Sequence, residues 1–79
     1  MREIVIGKKY KHFKGKEYKV IDIVYDCESV GDNLNKIVIY EALYGDHSHW
    51  ARKYEDFASL VDKEKYPEVE QKYRFEEID

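Results

Sequence analysis

Tyr10 and His12 stand two positions apart, and so do Trp50 and Arg52. On an extended strand that spacing puts the members of each pair on one face. If the strands bring those faces together, with Tyr40 and Glu28 beside them, the product is an aromatic patch holding one imidazole and one guanidinium. Such a surface suits a peptide, a base or another planar ligand: the rings offer apolar area and a face that attracts cations. The same residues have a structural use. The tyrosines and Trp50 then fill a core, Arg52 pairs with Glu28, and His12 hydrogen-bonds to backbone. Spacing alone permits either.

Lys8, Lys9, Lys11, Lys14, Lys16 and Lys19 surround a turn at Lys14-Gly15-Lys16, with Tyr10 and Phe13 among them. Basic residues interleaved with aromatics resemble the surface of a single-strand nucleic-acid binder. Lysines also protect strand edges and keep a hairpin soluble. Asp46, His47 and His49 lie close together, but no Cys or His pair at zinc-site spacing accompanies them, so neither a metal nor a cofactor is expected. Cys27 with His12 is the one nucleophile pair available. Asp26 and Glu28 flank that cysteine, and neighbouring carboxylates disfavour a thiolate. The four glycines are scattered at turns and form no phosphate loop. An enzyme is therefore not expected.

Composition bounds what can hold these residues. The 79 residues make one domain, residues 1–79. A chain of this size buries only about 60% of its unfolded surface, so its core is thin. Cys27 is the only cysteine, which excludes an internal disulfide and fits a reducing, cytoplasmic setting. The first residues lack the apolar stretch of a signal peptide, and no window approaches the roughly 20 apolar residues of a membrane span. The net charge is −3, unevenly spread: +5 over residues 1–20, −5 over 21–50 and −3 over 51–79. The isoelectric point near 5.6 argues against nucleic acid as the default partner, because binding domains usually lie above about 9. Eight tyrosines accompany one tryptophan and three phenylalanines. Tyrosine suits half-buried strands, where the ring packs and the hydroxyl reaches water or a partner.

The elements follow from apolar period. Residues 8–13 read as a first strand and 17–26 as a second. In the second, Tyr18, Val20 and Val24 share one face with Asp22, while Lys19, Ile21, Ile23, Tyr25 and Cys27 share the other. Both faces are largely apolar, and Asp22 is a candidate bulge where the alternation slips. Residues 29–36, with Gly31-Asp32-Asn33, read as a hairpin loop. Residues 37–44 are the most apolar run, rich in β-branched and aromatic residues and ended by Gly45, hence a third strand. Trp50-Ala51-Arg52 reads as a short fourth. Tyr54, Phe57, Leu60 and Val61 then fall at helical spacing, with Glu55 and Asp56 near the start, for a helix of about two turns. Pro67 excludes a central strand nearby, and residues 71–78 read as the last strand.

Short strands in a meander with one inserted helix predict a mostly β or small α+β fold: an SH3-like barrel or a rolled antiparallel sheet of about five strands. A flatter sheet covered by a second subunit gives the same pattern, so homodimerisation stays open.

Taken in order, Tyr10-Lys11-His12-Phe13-Lys14-Gly15, Tyr18-Lys19-Val20, Val38-Ile39-Tyr40-Glu41-Ala42-Leu43-Tyr44, Trp50-Ala51-Arg52, Phe57 and Arg74-Phe75-Glu76-Glu77-Ile78 resemble the bacterial domain-of-unknown-function family numbered sixteen fifty-three. The resemblance spans nearly the whole chain. It departs at Tyr25-Asp26, where the family usually has a basic residue and a histidine before the Glu matching Glu28, and at Lys53, often Pro. It implies a small β-rich protein and supplies no activity. The expectation is a non-enzymatic module that binds a peptide or protein partner through Tyr10, His12, Glu28, Tyr40, Trp50 and Arg52. The alternative is single-stranded nucleic-acid binding through Lys8, Lys9, Lys11, Lys14 and Lys16.

Overall fold

The strongest apolar run sits inside a five-stranded antiparallel sheet. A computed structural model describes residues 2–31 and 34–78. It contains β1 (Lys9–His12), β2 (Glu17–Tyr25), β3 (Lys36–Ala42), β4 (His49–Lys53), a single helical turn α1 (Tyr54–Phe57) and β5 (Phe75–Ile78). The spatial order is β4-β3-β2-β1-β5. The first four strands form a meander, and the chain then crosses over the sheet to place β5 beside β1. The sheet has two free edges, so it is a rolled sheet and not the closed barrel. Among the described residues no helix is long and apolar enough to cross a membrane.

The β1–β2 turn is made by Gly15 at φ 106°, a conformation that costs glycine little and other residues far more. The polar loop after β2 includes Asp32 and Asn33, which lie outside the described residues.

β2 carries the one irregularity that matters. Val20 pairs with Tyr40 and Asp22 with Ile39, so Ile21 is an extra residue with no partner. The bulge expected at Asp22 is therefore centred on its neighbour. It corrects the simple alternation. Ile23 opposes the buried Val38 and packs against the core, whereas Val24 turns to the outer face. A bulge also bends its strand and increases twist, which rolls the sheet.

One face of the roll is filled mainly by rings. Tyr10, Val20, Val38, Phe57 and Phe75 are almost wholly buried. Phe57 and Phe75 stack at 4.0 Å between centroids, while Tyr10 and Tyr40 meet Phe57 edge-on at 5.4 and 5.3 Å. Truncating a phenylalanine so placed to alanine costs about 3–5 kcal/mol. Ile4 completes the cluster from residues 2–7, where the Ile4 amide donates to the Tyr54 hydroxyl and the Gly7 amide to the Val20 carbonyl, both at 2.8 Å.

The helix is shorter than its period suggests. The Ser59 hydroxyl donates to the Asp56 carbonyl at 2.6 Å, and Leu60 is drawn into a bridge with Tyr73. Leu60 is exposed, not a core residue. Backbone pairing with the 72–74 segment wins over another turn of helix, since a lone short helix has little stability of its own. The last strand is likewise shorter than expected, because residues 71–74 serve that bridge.

Candidate functional site

Of the six residues singled out as a ligand surface, five lie on the ring-filled face. Tyr10 opposes Tyr18, Tyr18 opposes Ala42, and Tyr40 opposes Trp50. His12 and Arg52 follow by alternation along β1 and β4. These two strands are not neighbours. Four inter-strand spacings of about 4.8 Å would hold the edges β4 and β5 some 19 Å apart in a flat sheet. The Arg52 guanidinium nevertheless lies 5.6 Å from the Phe75 ring, and Phe75 meets His12 edge-on at 4.9 Å. The roll brings side chains of opposite edges together.

The six residues then divide. Tyr10, at 1% exposure, belongs to the interior, and its hydroxyl accepts a hydrogen bond from the Val5 amide at 2.9 Å. Tyr40 is also buried, and its hydroxyl accepts from Arg52 Nε at 3.3 Å. Trp50 is 54% exposed on the edge strand. Glu28 is exposed in the turn after β2 and forms no ion pair with Arg52. Among the described residues the only acid–base side-chain contact joins His47 Nδ1 and the Glu41 carboxylate, at 3.2 Å. His12 and Arg52 are half-buried and remain together.

They line an open cavity of about 320 Å³. Its walls add Phe13 and Lys14 from the β1–β2 turn, Asp62, Lys65 and Tyr66 from the crossover, and Arg74 before β5. The turn is held to the crossover by Phe13, whose ring lies 4.9 Å from that of Tyr66 and whose amide donates to the Arg74 carbonyl at 3.0 Å. The crossover takes its shape from Asp62, whose carboxylate accepts the amides of Glu64 and Lys65 at 3.0 and 3.3 Å. That is an Asx-type turn.

Charge in the cavity is one-sided. Lys14, Arg52, Lys65 and Arg74 face a single carboxylate, Asp62, and none of them forms an ion pair among the described residues. Arg74 Nε is buried and has no hydrogen-bond partner among the described residues. Burial, helped by Arg52, Arg74 and Lys14, pushes His12 down to about 4. Its ring is neutral near pH 7. Nδ1 accepts the Lys14 amide at 3.1 Å, which leaves the proton on Nε2. So low a value makes His12 a weak general base.

A second ring cluster adjoins it on the same face. The Tyr18 and Tyr44 hydroxyls share a hydrogen bond at 2.9 Å, and Lys16 lies 4.8 Å over Tyr44. Burial and that hydrogen bond push the Tyr18 hydroxyl up to about 12. A larger groove of about 420 Å³ lies between Arg2, Lys36, Lys53 and Tyr54, where Glu3 and Glu55 offset most of the positive charge.

The remaining candidates are dispersed. Cys27 is exposed beyond the far end of β2. At about 3.3 Å per residue, β2 puts roughly 25 Å between it and His12, too far for a nucleophile pair. Among the described residues no three His, Cys, Asp or Glu side chains group as metal ligands. The hairpin lysines spread over different surfaces. Lys9, Lys11 and Lys19 lie on the outer sheet face, Lys14 lines the cavity, and Lys16 covers Tyr44.

The cavity residues that sequence reasoning missed had little signal. Arg74 stood within a matched motif without an assigned role, and Asp62, Lys65 and Tyr66 lie in a segment with no apolar period.

The family described as a protein of unknown function, DUF1653, matches residues 8–77. The chain belongs to the DUF1653 family. The DUF1653 match spans the cavity from His12 to Arg74. No curated protein and no solved structure matches the chain.

Proposed function

We propose that this DUF1653 protein is a non-enzymatic binding module that holds a peptide or protein partner on the rolled face of its sheet. The observation that carries the reading is the cavity between the sheet edges: aromatic walls, four cationic side chains and no ion pair among the described residues. Cations that outnumber the one carboxylate beside them, Asp62, and stand against rings are well placed for an anionic or aromatic ligand group. Trp50, exposed on the same face, extends the contact area beyond the cavity. Tyr10 and Tyr40 support the surface from beneath.

The nucleic-acid alternative draws less support, since the hairpin lysines face different directions. A backbone-tracking groove needs them along one path.

The test is an NMR titration of the labelled protein with a peptide library. Shifts are expected to cluster at His12, Phe13, Trp50 and Arg52 for the peptides that bind. Shifts confined to the outer sheet face, or none for any peptide, would reject the reading.

A further inference from the structure

The cavity beside His12 has the properties of an oxyanion site, and we infer that it takes a phosphate monoester, with the phosphoryl group between Arg52 and Arg74 and its organic stem against Phe13 and Tyr66. The inference rests on the binding-module reading and names the chemistry its site selects.

Three observations converge. First, the cavity holds four cations against Asp62, and that carboxylate is already engaged by two backbone amides. The excess positive charge exceeds what one carboxylate ligand would neutralise, whereas a phosphate monoester carries up to two negative charges near neutral pH. Second, donors remain available. Arg74 lines the cavity, and among the described residues its guanidinium makes no hydrogen bond or ion pair; Nε is buried, so the terminal nitrogens are the donors a ligand reaches. Arg52 commits Nε to the Tyr40 hydroxyl, which sets the plane of the guanidinium and leaves its terminal nitrogens for a forked contact. His12 commits Nδ1 to the Lys14 amide and keeps Nε2–H as a neutral donor. Third, the walls are aromatic. The rings of His12 and Phe13 stack at 4.4 Å and those of Phe13 and Tyr66 lie 4.9 Å apart, so the mouth accepts an apolar stem. Lys14, 5.7 Å over the Tyr66 ring, stands at that mouth.

Arginine suits this task better than lysine, because its planar fork matches two oxygens at once. The half-burial of Arg52 and Arg74 also separates this site from the solvated lysines of the outer face, which attract any anion weakly.

The experiment is an NMR titration at pH 7 and constant ionic strength with inorganic phosphate, phenyl phosphate and acetate. Phenyl phosphate is expected to bind at least tenfold more tightly than acetate and more tightly than inorganic phosphate, with saturable shifts at Phe13, Lys14 and the His12 ring. Arg52→Met is expected to weaken it at least tenfold. Lys65→Glu, at an exposed position that leaves the core untouched, is expected to weaken it several-fold. Equal response to acetate, or unchanged affinity in both variants, would overturn the proposal.

Two further arms separate this from the module reading. A phosphopeptide that binds more tightly than phenyl phosphate, with shifts reaching Trp50, supports both. Phenyl phosphate binding without any gain from the peptide keeps the oxyanion site and rejects the peptide partner. A single-stranded oligonucleotide that outcompetes phenyl phosphate at His12 rejects the monoester assignment.

Discussion

At the scale of single residues, His12 is the most informative reporter. It is held neutral by burial and by Arg52, Arg74 and Lys14, down to about 4 from an ordinary 6.5. Between those two values the unfolded chain binds a proton that the folded protein does not. This contribution to stability is therefore complete above about 6.5, declines as pH falls through the window, and is fully lost below about 4. His12→Leu is expected to flatten the difference, seen as a smaller fall in urea midpoint from pH 7 to pH 4.5 than in the parent. The ring itself is expected to titrate near 4 by NMR and to move upward when an anion fills the cavity, since that anion offsets the three cations. His12 was legible as a chemistry-bearing residue because it sits two positions from Tyr10. Its real neighbours were not legible: Arg74 and Tyr66 reach it through the crossover and not through strand alternation.

The elements were easier to read than their ends. The four strands of the meander and the final strand were visible because β-branched and aromatic residues cluster between turn signals, and these local preferences agree with the fold. The helix was overestimated because Leu60 and Val61 continue its period, while the bridge between Leu60 and Tyr73 depends on a partner far along the chain. Face assignments in β2 failed beyond Val20, since one unpaired residue swaps every later side chain. Deleting Ile21 tests what that residue does. Val20 would then precede Asp22 directly, and the pairings of Asp22 with Ile39 and Ile23 with Val38 could persist in a regular ladder. The expected result is retained cross-strand contacts in β2–β3, with loss of the proximity between Arg52 and Phe75 and weaker anion binding. Nuclear Overhauser effects would measure both. Persistence of the Arg52–Phe75 contact would show that the crossover, not the bulge, sets the roll.

At the scale of the molecule, the fold is closed by a contact that sequence patterns do not encode. Arg2 donates to the carbonyls of Ala58 and Phe57 at 3.3 and 3.4 Å and also to that of Phe75, while its guanidinium lies 4.0 Å over the Tyr73 ring. One side chain thus joins the first described residues to α1 and β5. Arg2→Met is expected to cost about 1–3 kcal/mol, the penalty for leaving partly buried carbonyls without donors. In a domain of 60–100 residues each kcal/mol lowers the thermal midpoint by about 4–8 °C, so calorimetry resolves the change.

The same clasp makes three distant stretches of chain a single opening unit. Residues 2–5, α1 and β5 cannot loosen one at a time without stranding that guanidinium. Deuterium uptake is therefore expected to advance at a common rate at Ile4, Ala58 and the β5 amides, ahead of the β2–β3 ladder.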